Sequence, residues 1–292
     1  MKLCRYDEDR LGVVIDDMIH DISDVQDQIR AGARYDMRGD AVIAALPEWR
    51  TKMEEAAAKA PGKPVSEITL LPPVARPTKV MAAPINYQAH INEMEANPHI
   101  TGRDQPGAPQ RPKGIANQGI FLKANSAMVG ASEGVAIRFP DARNDHEVEF
   151  CIIIGKQGSH IKQEDALDYI AGYTLGLDMT VRGIQDRSFR KSCDGYAPLG
   201  PWMVTADEIP EPNNVPFTVH LNGELKQDAH TKDMIFDVPR LLEFASEYYT
   251  LYPGDVMFTG SPPGVSEVKA GDEMVCACDL IGEMTVAVRA AE

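Results

Sequence analysis

Five prolines crowd residues 61–77, and this cluster constrains the fold of the 292-residue chain more than any other feature. Helix interiors and central strands do not accept prolines at this density, because each proline lacks a backbone N–H donor. We therefore expect the chain to divide here. A small N-terminal domain would cover residues 1–72, and a larger domain would cover residues 73–292.

The segment before the prolines mixes both kinds of regular structure. Short apolar runs at 2–6 and 11–15 indicate strands, and the segments 22–34 and 41–59 have helical patterns. Pro47 is expected to kink or restart the second of these helices. The sequence thus predicts a small α/β appendage.

The segment after the prolines is rich in short strand-like runs and has few helices. Asp237 and Pro239 are typical of a helix start, which predicts a helix over 239–248, and a second helix is expected over 163–171. The absence of regular strand–helix alternation indicates an α+β fold. The runs that predict strands are 135–139, 147–154, 173–180, 217–221, 255–259, 273–279 and 284–288.

The charge balance limits the classes of partner. Asp and Glu number 44 against 29 Lys and Arg, a formal net charge of −15. Such a surface repels polyanions, so nucleic acid and anionic membranes are not expected as partners. The charged N-terminus and the lack of a long apolar run favour a cytoplasmic protein. Five cysteines without a CxxC pair predict neither a disulfide framework nor a zinc ribbon.

Two carboxylates lie at the start of a highly apolar run. Glu147 and Glu149 precede Phe150–Gly155 and, as residues i and i+2 of a strand, share one face about 7 Å apart. Such a pair is ordinarily a solvated face. Beside an apolar run, however, two like charges repel each other unless a cation or a proton intervenes.

A third carboxylate, Asp178, lies in the second apolar run, 173–180. With the two glutamates it would form an all-oxygen site that suits Mg²⁺, with Mn²⁺ as an alternative and Ca²⁺ a weaker one, and that disfavours zinc. Arg182 and Lys191 follow closely and could hold a substrate carboxylate. The simpler interpretation of Asp178 is an ion pair with Arg182.

An HxxE pair follows the proline cluster. His90 and Glu93 lie three residues apart in a helical pattern, so they can touch, and a carboxylate that holds a neutral imidazole makes it a better general base. A surface pair is the ordinary alternative. The Pro/Gly-rich stretch that follows suggests a mobile lid over about 86–118.

These motifs together resemble the fumarylacetoacetate hydrolase family over residues 78–292. The resemblance implies a β-rich roll of mixed sheets with flanking helices behind a small N-terminal domain, and a homodimer. The segments that carry it, in order, are NYQAHINE, GIFLK, NDHEVEFCIIIGK, ALDYIAGYTLGLDMTVR, KSCDGYAPLGPW, LNGELKQ, TLYPGDVMFTGSPPGV and AGD.

The same resemblance implies roles for individual residues. The metal ligands would be Glu147, Glu149 and Asp178. The catalytic residues would be His90, Glu93 and Lys191. The substrate-binding residues would be Tyr87, Arg182, Gln185, Thr259 and Gly260. The chain departs from the family pattern at Gly183, Ser261 and Ser266, which are positions of the pocket and its cover rather than of the metal.

The resemblance implies a Mg²⁺-dependent hydrolase that cleaves a carbon–carbon bond in a small anionic β-diketo acid of the acylpyruvate or fumarylpyruvate type, in aromatic catabolism. His90, oriented by Glu93, would activate water, and Lys191 would stabilise the oxyanion. The alternatives on the same scaffold are an isomerase of hydroxymuconate-type dienes and an oxaloacetate decarboxylase. A non-catalytic metal-binding or assembly protein would explain the carboxylates alone.

Overall fold

The computed structural model describes residues 1–34, 38–97 and 114–291. These residues form three β-sheets with helices on their flanks, which confirms the predicted α+β class. None of the described helices is long and apolar enough to cross a membrane. The α-helices are α1 (Ser23–Gly32), α2 (Ala41–Ala57), α3 (Gln88–Ala96), α4 (Ile115–Gln118), α5 (Arg187–Arg190) and α6 (Val238–Tyr248).

Each of the nine predicted runs overlaps a strand, and the structure adds further short strands that the sequence did not indicate. The strands are β1 (Lys2–Tyr6), β2 (Arg10–Ile15), β3 (Met18–Asp21), β4 (Gly62–Pro64), β5 (Leu70–Leu71), β6 (Val80–Ala82), β7 (Phe121–Lys123), β8 (Met128–Gly130), β9 (Val135–Ile137), β10 (Asn144–His146), β11 (Val148–Ile154), β12 (Ile170–Leu177), β13 (Thr180–Val181), β14 (Ala197–Thr205), β15 (Pro216–Leu221), β16 (Glu224–His230), β17 (Val256–Phe258), β18 (Ser266–Glu267), β19 (Glu273–Cys278) and β20 (Gly282–Ala290).

The largest sheet runs across the predicted domain boundary. Its order is β4-β3-β2-β1-β14-β12-β11-β17-β6-β7, with β5 paired to β1 and β8 to β14. The N-terminal strands join it because β1 pairs antiparallel with β14, Leu3 lying opposite Met203. The N-terminal segment therefore shares a sheet with the larger part, and its status as a separate domain stays a prediction.

The core has two layers that meet at this sheet. Strand β11 is buried on both faces, as its unbroken apolar run indicates. Phe150, Ile152 and Ile154 pack in a core shared with α6 and the five-stranded sheet β16-β15-β19-β20-β9. Cys151 and Ile153 pack in a second core, shared with α1 and α2. A strand held in this way is a rigid base for the carboxylates at its start.

Two predicted helices differ from the structure. Pro47 lies inside α2, which continues to Ala57 instead of restarting at the proline, and the buried Leu46 and Met53 hold the helix against the core on either side of it. A kink at Pro47 stays a prediction. The predicted helix at 163–171 is a 3₁₀ helix, Gln163–Tyr169. It stops early because Ile170 already pairs with Ile154 in the sheet.

One carboxylate ties α2 to the proline-rich connection. Asp40 caps α2, with Oδ1 accepting hydrogen bonds from the N–H groups of Val42 at 2.9 Å and Ile43 at 3.2 Å. Its other oxygen, Oδ2, accepts from the N–H groups of Ala75 at 2.9 Å and Arg76 at 3.3 Å. The helix and the connection are therefore stabilised by the same buried side chain.

We expect the Asp40→Ala variant to lower the free energy of unfolding by about 2 kcal/mol, because it removes a helix cap and leaves backbone donors without partners. Urea denaturation measures the loss. The exposed first-turn residue Asp24 provides a control, since Asp24→Ala should change stability by less than about 0.5 kcal/mol. Equal effects of the two substitutions would contradict the proposed tie.

Candidate active site

Three carboxylates meet where β11 begins and β12 ends. The two strands are antiparallel, with Glu149 opposite Gly176, so the start of one lies beside the end of the other. Glu147 directly precedes β11, and Asp178 directly follows β12, which ends at Leu177 rather than running on to residue 180 as predicted. The Asp178 N–H donates to the Glu147 carbonyl at 2.8 Å, and this hydrogen bond joins the residue after β12 to the residue before β11.

The three side chains are buried and close together. Exposure is 5% for Glu147, 1% for Glu149 and 2% for Asp178, and each offers an oxygen atom within 4.8 Å of the others. The solvated-face alternative is therefore wrong for this pair of glutamates. Burial and the negative charge of Asp178 raise the pKa of Glu149 well above its ordinary range, against the opposing charge of Lys191. A site of this kind favours a bound cation.

Lys191 follows α5 and reaches into the cluster. Its Nζ donates to Glu147 Oε2 at 2.7 Å, to Asp178 Oδ2 at 2.5 Å and to Thr180 Oγ1 at 2.7 Å, so all three of its N–H donors are in use. Burial alone would raise the pKa of Glu147, but the charges of Lys191 and Arg182 lower it well below the usual value. Binding of an oxyanion by Lys191 therefore requires exchange of one of these bonds.

Lys123 is a second buried cation at the site. It ends β7, is 3% exposed, and donates from Nζ to Asp178 Oδ1. Burial lowers its pKa, against the opposing charge of Asp178. This lysine belongs to the segment GIFLK, for which the sequence predicted no site residue. A lysine inside a short apolar strand was the signal that could have found it.

Arg182 takes partners other than the one its spacing suggested. Its Nη2 donates to Glu147 Oε1 at 2.8 Å and its Nε to Asp145 Oδ2 at 2.7 Å. The alternative of an Arg182–Asp178 pair is wrong, since the described ion pairs of Asp178 are with the two lysines. The physical reason is the pairing of β13 with β10, which carries Arg182 towards Asp145.

His90 and Glu93 form a hydrogen-bonded pair on α3. The His90 Nδ1 lies 2.7 Å from Glu93 Oε2, and His90 is 4% exposed, so the pair does not lie on the surface. A carboxylate only accepts, and Nδ1 therefore carries the proton and leaves Nε2 as the basic nitrogen. Glu93 is held in turn by the Gly264 N–H, at 2.7 Å from Oε1.

Most of the predicted site residues line one cavity. They are His90, Glu147, Glu149, Asp178, Arg182, Gln185 and Lys191. Of the lid predicted over about 86–118, residues 98–113 lie outside the described part of the chain.

The other three predicted substrate residues are not among those that line the cavity. The Gly260 N–H donates to Glu149 Oε2 at 2.6 Å, and Thr259 Oγ1 donates to the Phe150 carbonyl at 2.7 Å. The Tyr87 hydroxyl is buried and has no hydrogen-bond partner among the described residues. Contact of these three residues with substrate stays a prediction.

The donor set fits a hard divalent cation. Its ligands would be carboxylate oxygens, which Mg²⁺, Mn²⁺ and Ca²⁺ prefer and which zinc sites seldom use alone. Among the described residues, Glu147 pairs with Arg182 and Lys191, and Asp178 pairs with the two lysines. Glu149 has no ion-pair partner in this part of the chain and accepts a hydrogen bond from the Gly260 N–H. A further positive charge beside Glu149 is thus electrostatically favourable.

Comparison with known proteins gives concordant matches. Residues 79–289 match the family model described as fumarylacetoacetate (FAA) hydrolase C-terminal. A maleylpyruvate hydrolase of Aquipseudomonas alcaligenes is 45% identical over 290 residues, 99% of each chain. The crystal structure of a maleylpyruvate hydrolase from Sphingobium sp. SYK-6, in complex with manganese(II) ion and pyruvate, is 35% identical, covers 100% of both chains and has a TM-score of 0.84.

A third relative has a different activity in its name. The mitochondrial oxaloacetate tautomerase Fahd2a of Rattus norvegicus is 35% identical over 238 residues, 77% of this chain and 71% of its own. Taken with the carboxylate site, the matches define an enzyme of the class that hydrolyses carbon–carbon bonds. The chain belongs to the fumarylacetoacetate hydrolase family.

We expect Glu149→Gln to weaken Mn²⁺ binding by at least about 100-fold while the protein stays folded, because an isosteric amide removes one charged ligand. Isothermal titration calorimetry on metal-free protein measures the dissociation constant, and circular dichroism reports the fold. The exposed Glu164 supplies the control, Glu164→Gln, which should bind Mn²⁺ as the unaltered protein does. Undiminished Mn²⁺ affinity in Glu149→Gln would remove Glu149 from the metal site.

Proposed function

We propose that this protein is a divalent-metal-dependent hydrolase that cleaves the carbon–carbon bond of an acylpyruvate, of the maleylpyruvate or fumarylpyruvate type. The observation that carries the proposal is that the carboxylate cluster and His90 line one cavity. The full-length similarity to a maleylpyruvate hydrolase supports the same substrate class. Catabolism of aromatic compounds is the corresponding context.

Glu147, Glu149 and Asp178 would hold Mg²⁺ or Mn²⁺, and the manganese in the related Sphingobium structure supports this choice. When bound, the ion supplies Lewis acidity and a fixed orientation for the substrate's oxygen atoms. The other parts of the mechanism belong to side chains of this chain.

The imidazole of His90 is oriented to take a proton from water. Glu93 holds Nδ1–H, so Nε2 accepts the proton as the water oxygen attacks the distal carbonyl carbon. The bond from that carbon to the neighbouring methylene then breaks, and the methylene carbon recovers a proton. One water and one diketo acid give two carboxylic acids, of which one is pyruvate.

Lys191 would stabilise the oxyanion that forms during attack. Its ammonium group is anchored by carboxylates and by the Thr180 hydroxyl. Exchange of the neutral Thr180 contact for the oxyanion costs less than loss of a charge-assisted bond. Lys191 can thus serve the substrate while it remains part of the buried ion-pair network.

The charge of the site favours an anionic substrate. Four carboxylates face four cationic side chains, so a bound divalent ion would make this group of charges net positive; the carboxylates are Asp145, Glu147, Glu149 and Asp178, and the cations are Lys123, Arg143, Arg182 and Lys191. Arg187 and Arg190 add positive charge to the cavity wall. A small diketo acid would therefore be attracted locally, although the whole chain carries a net charge of −15.

An isomerase or tautomerase is the second candidate. The tautomerase relative supports it, and a proton-shuttling His90 would serve it without hydrolytic water. Hydrolysis remains the better-supported function, because the hydrolase relative is more similar and matches the whole chain. Decarboxylation of oxaloacetate is a third candidate on the same scaffold.

We expect His90→Ala to lower kcat by about 10²–10⁴-fold, because it removes the general base. Mn²⁺ affinity should be unchanged, since His90 is not among the three carboxylate ligands. Stopped-flow absorbance of the enol and calorimetry measure the two quantities. His220→Ala, on β15, is the matched control and should keep full activity. Wild-type kcat in the His90 variant would refute its role as base.

The reaction class is decided by its products. With Mg²⁺ or Mn²⁺ present, maleylpyruvate or fumarylpyruvate should yield pyruvate and a second carboxylic acid in equal amounts, detected by chromatography. Release of CO₂ from oxaloacetate would instead indicate a decarboxylase, and a spectral change without change of mass an isomerase or tautomerase. Inactivity of the metal-loaded protein on the whole panel would favour a non-catalytic protein.

A further inference from the structure

Gln227 lies on β16, in a different sheet from the carboxylates, and is 0% exposed. Its Oε1 accepts hydrogen bonds from the Val148 N–H and from His146 Nδ1, both at 3.0 Å. Its Nε2 donates to Ser261 Oγ at 3.0 Å and to the Pro262 carbonyl at 2.8 Å. All four hydrogen-bonding positions of this amide are therefore in use.

The orientation of the amide follows from two backbone partners. The Val148 N–H can only donate, so the oxygen of Gln227 must face it, and the Pro262 carbonyl can only accept, so the nitrogen must face that side. His146 Nδ1 must then carry a proton, and its Nε2 accepts from Ser266 Oγ at 2.7 Å. A carboxylate or an apolar side chain at position 227 could not satisfy this set.

The side-chain oxygen of Gln227 holds the start of β11, where two of the carboxylates lie. Val148 lies between Glu147 and Glu149, and its N–H bond to Gln227 fixes the backbone at the start of β11. The side-chain nitrogen of Gln227 holds residues 260–264, a segment that we call the strap. Pro262 and Pro263 stiffen the strap, and its Gly260 N–H donates to Glu149 Oε2.

The far end of the strap reaches the histidine pair. The Gly264 N–H donates to Glu93 Oε1 at 2.7 Å, and Gly264 has φ +98°, a conformation that favours glycine. A Cβ atom there would lie 2.0 Å from the Lys226 carbonyl oxygen, so the strap packs directly on β16. One short segment thus contacts both a metal-ligand carboxylate and the carboxylate that orients His90.

We propose that Gln227 is a positioning residue, which sets the carboxylate strand and the strap at a fixed separation and thereby aligns the metal site with the His90–Glu93 pair. The inference rests on the proposed function for its activity readout only. It predicts that loss of Gln227 weakens cation binding and turnover together, although Gln227 does not line the cavity.

The test compares Gln227→Met with Ser246→Ala in the full-length protein. Ser246 is also buried, at 1% exposure, and holds a backbone N–H, that of Ile161 at 2.8 Å, but it lies on α6 away from the site. The control therefore matches the loss of a buried polar anchor. Thermal unfolding of both variants shows how much each loses in general stability.

We expect Gln227→Met to weaken Mn²⁺ binding about 10-fold by calorimetry and to lower kcat about 10–100-fold, with KM little changed because the cavity wall is retained. Ser246→Ala should lose stability but keep wild-type Mn²⁺ affinity and kcat. A Gln227→Met protein that resembles the Ser246 variant in both quantities would overturn the proposal and leave Gln227 a structural residue.

A second variant covers the case in which Gln227→Met does not fold. Gln227→Glu keeps the two accepted bonds but cannot, as a carboxylate, donate to Ser261 or Pro262, so the strap alone loses its anchor. A fall in kcat of at least about 10-fold is expected, and wild-type kcat would overturn the proposal. If the unaltered protein turns over none of the diketo acids, the proposed function is refuted. Weaker Mn²⁺ binding by the Gln227 variants than by that unaltered protein would still support this inference.

Discussion

Repulsion among three buried carboxylates is the constraint on which this structure depends. Oxygen atoms of Glu147, Glu149 and Asp178 lie within 4.8 Å of one another, in surroundings where like charges interact strongly. The compensating side chains come from three separate segments, at the end of β7 and just after α5 and β13. The site is complete only when all of these segments have docked, so its assembly is coupled to the fold as a whole.

The layered core supplies the rigidity that this charge cluster needs. Strands β11 and β12 lie inside the large sheet and are buried on both faces, so their ends cannot shift without disturbing two cores. The carboxylates extend from these fixed ends. The strap at 260–264 adds a second support, because it bonds to Glu149 at one end and to Glu93 at the other. The carboxylate cluster and the His90–Glu93 pair thereby share one support.

Local patterns in the sequence were enough to find the groups that now face each other. Glu147 and Glu149 were recognisable because alternation along a strand is a local rule, and His90 with Glu93 because helical spacing is another. Their partners were not. The simpler interpretation of Asp178 paired it with Arg182, four residues away, whereas strand pairing takes Arg182 to Asp145, 37 residues away. Pairings at such separations depend on topology, which spacing does not encode.

The sequence by itself determined the strand-rich class, the carboxylates that call for a cation and the family to which the chain belongs, because each is written in short-range pattern and composition. Tertiary structure decided how that charge is balanced. Lys123 reaches Asp178 across 55 residues, and Gln227 reaches Val148 across 79. Both contacts exist because separate strands are brought side by side and because buried polar groups must find partners wherever the fold provides them.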